Sequence, residues 1–191
     1  MNATITALAS TRGAKNHHIA GHQARVARLA CAIGQEMAVS PTLLKGLRVM
    51  GFLHDIGKIA IPSNILCKTG RLSEAEFTII KGHPLIGYGI LMEMEFPRPI
   101  ARGILQHHER LDGSGYPAGL FGQDILLEAK ILSVADVTDA MVSNRPYRPA
   151  IDLEKSLKEI WRNAGTLYDH DVVNACLSLF REKGFAHQYT A

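Results

Sequence analysis

The sequence predicts an all-α domain, and three observations predict it. Apolar residues recur at helical spacing along nearly the whole chain, as at Ile19, Val26, Leu29, Ala30 and Ile33. Helix-start signals punctuate it: Ser40 before Pro41, Ser73 with Glu76 three residues on, then Asp152 and Asp169. No segment alternates apolar and polar residues as a half-buried strand would.

Taken in order, the spacing predicts an amphipathic helix from His17 to Val39. A second helix, Thr42 to about Ile56, turns strongly apolar toward its end. Pro62 to Arg71 reads as a connector, and the Ser73/Glu76 capping box opens the next helix. Pro84 restarts the chain as a helix to about Glu95, and Pro99 to about His108 forms another. Five residues break Leu111 to Gln123 into a loop: Gly113, Gly115, Pro117, Gly119 and Gly122. Leu126 to about Ser143 is a long apolar helix stopped before Pro146. Asp152 caps a helix to about Asn163, with Gly165 as its stop. Asp169 opens the last helix and Gly184 ends it. The expected organisation is a flexible segment over 1–14, a helical domain over 15–184 and a tail over 185–191.

A chain of 191 residues suits one domain with a substantial core, and 47% hydrophobic with 20% charged residues is ordinary globular composition. The apolar runs are too short to span a bilayer, and Met1 to Arg12 lacks a signal-peptide pattern. Three scattered cysteines, Cys31, Cys67 and Cys176, argue against a disulfide framework and for a reducing, cytoplasmic setting. The net charge of +3 is too small and too dispersed for duplex nucleic acid, yet compatible with a small anion.

The chemistry concentrates in a few segments. His54-Asp55 ends an apolar helix in Val49-Met50-Gly51-Phe52-Leu53-His54-Asp55-Ile56-Gly57-Lys58. Burying a carboxylate is costly unless a partner compensates it. A metal ion is one such partner, while an exposed pair at a helix end, or a salt bridge to Lys58, is the plain alternative. Asp136 repeats the problem inside the most apolar helix of the chain. His107 and His108 end a helix directly before the Gly-rich loop that carries Tyr116. His83 precedes Pro84. His22 has His18 one turn before it, and each is either a ligand or a solvated face residue.

Together His22, His54, Asp55, His83, His107, His108 and Asp136 exceed what one tetrahedral ion needs. Imidazole mixed with carboxylate favours iron, manganese or zinc over magnesium or calcium. Two ions bridged by Asp55 would use the set, and such a pair suits in-line attack on phosphorus. Arg145 and Arg148, between prolines beyond the Asp136 helix, are shaped to grip phosphate oxygens.

These segments resemble the HD-GYP family, the cyclic di-GMP phosphodiesterase branch of the HD metallohydrolase superfamily. The likeness runs from about His17 to Ala175. It rests on His54-Asp55-Ile56-Gly57-Lys58, His83-Pro84, His107-His108-Glu109-Arg110, Asp112-Gly113-Ser114-Gly115-Tyr116-Pro117, Asp136 to Ala140 and Arg145-Pro146-Tyr147-Arg148-Pro149. The resemblance implies an HD-domain-like helical bundle with a Gly-rich GYP loop beside a metal centre. It implies hydrolysis of cyclic di-GMP to pGpG, GMP or both, with iron as the metal and manganese as the alternative.

It also implies roles. Asp55 bridges the metals. His54, Asp136 and His22 serve one ion, and His83, His107 and His108 the other. Lys58, Arg145 and Arg148 hold substrate phosphates, with Asp55 and Lys58 as the catalytic pair. Gly113, Gly115 and Tyr116 shape the dinucleotide pocket, and Asp139 contacts substrate. Family members with three metals carry Glu where this chain has His18, which favours two ions over three. Two other function classes stay open: a module that senses the dinucleotide or docks a diguanylate cyclase (GGDEF) domain without hydrolysis, and an HD hydrolase for another nucleotide.

Overall fold

Local signals become helices where the sequence marks them. The computed structural model describes residues 17–143 and 151–185. Helix α1 spans His17–Glu36. Helix α2 spans Pro41–Leu53, with Ser40 accepting the Leu43 N–H as its cap. Helix α4, Glu74–Lys81, starts on the full Ser73/Glu76 capping box. Helices α5, His83–Glu93, and α6, Arg98–Gln106, follow. Then come α7, Leu127–Val142, α8, Leu153–Arg162, and α9, His170–Arg181, the last two capped by Asp152 and Asp169.

Four expectations shift. The connector after Pro62 contains a helical turn, α3, Ser63–Leu66. Helix α2 stops at Leu53 rather than Ile56, because Asp55 leaves helical geometry (φ −95°, ψ 7°) and a 3-10 turn follows over Ile56–Ala60. Phe185, assigned to the tail, is only 8% exposed and meets Phe180 ring to ring at 5.5 Å, so the packed body includes it. The Gly-rich segment is a loop, but a 3-10 turn over Gly122–Asp124 and a single bridge between Asp112 and Phe121 close it. The expected flexible segment over 1–14, and the tail beyond Phe185, lie outside the described residues.

The core forms where α1, α2, α6, α7, α8 and α9 turn their apolar faces inward through Leu29, Leu47, Ile104, Ile131, Leu157 and Val173, all fully buried. Burying each such side chain stabilises the fold by roughly 1.5–3 kcal/mol. Helices α1 and α2 cross very closely: a methyl group on Gly51 would overlap the Ala27 backbone. This crossing carries the end of α2, with His54 on it, onto His22 of α1. Among the described residues no helix is long and apolar enough to cross a membrane.

Candidate metal centre

Three of the predicted histidines occupy one kind of position. His54 caps α2, His83 follows Gly82, the cap of α4, and His107 caps α6. The last carbonyls of a helix lack intrahelical donors, and each ring supplies one to the residue three places back. His54 Nδ1 donates to the Gly51 carbonyl (2.9 Å), His83 Nδ1 to Ile80 (2.8 Å) and His107 Nδ1 to Ile104 (2.6 Å). The carbonyl can only accept, so Nδ1 carries the proton and Nε2 keeps a free lone pair.

Those three Nε2 atoms are buried and have no hydrogen-bond partner. A buried polar atom is ordinarily satisfied, and a lone pair fixed by a bond at the other ring nitrogen is the arrangement of metal-binding imidazoles. The residues present therefore fit divalent ions.

The structure gathers the ligand atoms into two nests. His83, His107 and His108 offer atoms within 4.8 Å of one another, and so do His22, His54 and Asp136. Asp55 lies between them: Oδ2 is 3.6 Å from His54 Nε2, and Oδ1 is 3.4 Å from His83 Nε2. Lys58 Nζ donates to Asp55 Oδ2 at 2.7 Å. The salt bridge to Lys58 thus exists alongside the histidines rather than instead of them. The turn after Asp55 presses on α5 so closely that a methyl group on Gly57 would overlap the His83 carbonyl.

The charges sort the nests. Burial drives the His83 imidazolium down to about 4, against the pull of Asp55, and drives His108 down to about 3. Burial likewise holds His107 well below the usual histidine range. These rings are neutral at pH 7. Burial pulls His22 down too, but the hydrogen bonds its ring donates to the Asp136 and Asp139 carboxylates outweigh it and raise the ring to about 9. Burial pushes the Asp55 and Asp136 carboxyls up, yet Lys58 and the histidines around Asp55, and His22 and His54 around Asp136, hold both well below the carboxylate range.

Asp139 lies beside His22. It was expected to contact substrate, but its side chain is fully buried. Its carboxylate accepts from His22 Nδ1 at 2.6 Å and from Arg25 Nε at 2.7 Å. It holds the Nδ1 side of the His22 ring, so that Nε2 faces Asp136. Asp136 and Asp139 lie three apart on α7, as His22 and Arg25 do on α1, so two adjacent faces meet. That spacing was the available signal for Arg25, which the sequence reading passed over.

Glu109 stands directly after His107-His108. Its carboxylate is buried and accepts the N–H groups of Ala118 (2.7 Å) and Leu120 (3.0 Å), tying the Gly-rich loop to the end of α6. Gly115 lies against the Glu109-Arg110 backbone, where a methyl group would overlap it. Gly113, at φ +79°, packs on the Phe121 ring. These contacts set Tyr116 over His108, ring centroids 4.7 Å apart. Gln106 accepts the Leu126 N–H at 2.9 Å and so fixes where α7 begins. Arg145 and Arg148 lie outside the described residues, as does the His18 side chain on which a third ion was judged.

Comparison with known proteins agrees with this geometry. The HD domain family profile matches residues 10–172. The cyclic di-GMP phosphodiesterase response regulator RpfG of Xanthomonas campestris is 41% identical over 80% of this chain and 41% of its own length. A cyclic di-GMP phosphodiesterase of Thermotoga maritima is 44% identical over 84% of this chain and 44% of its own. The chain thus spans less than half the length of these relatives. The solved structure of a cyclic GMP-AMP specific phosphodiesterase of Vibrio cholerae superposes with a TM-score of 0.70 at 20% identity, over 89% of this chain and 46% of that one.

Proposed function

The chain belongs to the HD domain family, and from that premise we propose that it is a metal-dependent phosphodiesterase that hydrolyses cyclic di-GMP to pGpG, GMP or both. The observation that carries the reading is Asp55 set between two nests of inward-facing ligand atoms. A spacing of this kind suits a pair of ions, one per nest, for which we take iron first and manganese second. Relatives bearing the cyclic di-GMP phosphodiesterase name support the substrate.

Ions held there supply Lewis acidity, which favours ionisation of water and offsets charge on a phosphoryl group. The protein's own groups do the rest. Asp55 turns one oxygen toward each nest. His54, His83 and His107 keep Nδ1 protonated on helix carbonyls, so their Nε2 atoms cannot swing away. Lys58, 22% exposed, keeps its ammonium at the edge of Asp55, where it meets phosphate oxygens. Arg145 and Arg148 complete the grip on phosphate. Three unpaired cysteines fit a reducing cytoplasm.

The test is hydrolysis of cyclic di-GMP by anaerobically purified protein supplied separately with ferrous iron or manganese, with products resolved by chromatography. Metal-dependent release of pGpG or GMP, lost in Asp55→Ala, is the expected result. Tight dinucleotide binding without turnover under any metal would replace the enzyme with a sensor.

A further inference from the structure

A line of rings leads outward from the centre. His108 stacks on Tyr116 at 4.7 Å with a tilt of 31°, and Tyr116 meets Phe77 at 6.4 Å, nearly perpendicular at 81°. Phe77 is 46% exposed, on a helix that buries no residue. Its ring meets Tyr116 and Lys81 rather than the core. Lys81, one turn further along α4, holds its Nζ 5.2 Å over the Phe77 ring. Lys68 on the same flank is spent on Glu76 at 2.7 Å, whereas no carboxylate pairs with Lys81 among the described residues.

We propose that Phe77 and Lys81 form the subsite that selects guanine. Phe77 stacks on the base, and Lys81 donates to its O6 and N7. This rests on the phosphodiesterase reading and adds the residues that choose the base. A nucleotide anchored by its phosphate at the nests extends its base outward along the ring line. When the planar base takes the face of Phe77 that Lys81 covers, the flexible Lys81 side chain moves its ammonium from over the ring to the edge of the base. Stacking tolerates any base. The lysine does not: guanine shows two acceptors on that edge, whereas adenine puts an amino donor where guanine has O6.

The experiment compares kcat and KM for cyclic di-GMP and cyclic di-AMP in the metal-loaded full chain and its variants. Phe77→Ala raises KM about 10-fold for both substrates, and Phe77→Trp restores it. Lys81→Met keeps the apolar stem and removes the charge. It lowers the preference for cyclic di-GMP over cyclic di-AMP about 10-fold. Unchanged KM in Phe77→Ala, or an equal loss on both substrates in Lys81→Met, overturns the subsite while leaving the enzyme intact. A parent protein that turns over neither dinucleotide overturns the phosphodiesterase reading and the subsite with it.

Discussion

Metal loading of the His22 nest must expel a proton at neutral pH. His22 Nε2 faces Asp136 Oδ1 at 3.3 Å, while Nδ1 is held by Asp139 Oδ2 at 2.6 Å. With both carboxylates beside it the ring is raised to about 9, so in metal-free protein at pH 7 it is an imidazolium. An ion that takes Nε2 displaces that proton, and each pH unit below 9 weakens apparent affinity tenfold. Between pH 9 and pH 7 the nest loses about 100-fold, or about 2.7 kcal/mol. The other nest behaves oppositely: His83 at about 4 and His108 at about 3 are already neutral and have no proton to give. Titration calorimetry with manganese at pH 7.5, in buffers of different ionisation enthalpy, should therefore count about one proton released per loaded protein. Asp139→Asn removes a carboxylate from His22 and should flatten the pH slope. No proton release in the parent protein, with affinity flat between pH 7 and pH 9, would refute the reasoning.

Three further outcomes follow from the same contacts. Glu109→Ala removes the charged acceptor of two N–H groups in the Gly-rich loop, both bonds being partly buried. It should cost about 3 kcal/mol in urea denaturation, and an unchanged midpoint would mean the loop finds other acceptors. Gly57→Ala forces the turn off the His83 carbonyl. A cost of about 1–3 kcal/mol, together with lost manganese affinity at the His83 nest, is the expected result. Ser73→Ala removes the acceptor for the Glu76 N–H and should lower stability by about 1 kcal/mol. A fall in thermal midpoint without loss of bound manganese would agree with α4 standing outside the ligand set.

Helix positions were legible because their causes are local. Ser40, Ser73, Asp152 and Asp169 cap within three residues of themselves, so a short window contains the whole interaction. The ligand types were legible too, since a carboxylate such as Asp136 in an apolar helix demands a distant partner. The end of α2 was not. It depends on His54 turning back to the Gly51 carbonyl, a choice that apolar periodicity does not record.

Asp139 shows the sharper limit. By sequence it is one more polar residue after Asp136, as suited to substrate as to anything else. Its partner His22 lies 117 residues away. Only the close crossing of α1 with α2, and the packing of α1 on α7, bring that imidazole to it. Local chemistry along the chain marks which groups need compensation and where the helices begin. The tertiary structure decided which group compensates which, because side chains a hundred residues apart acquire a distance only when helices pack.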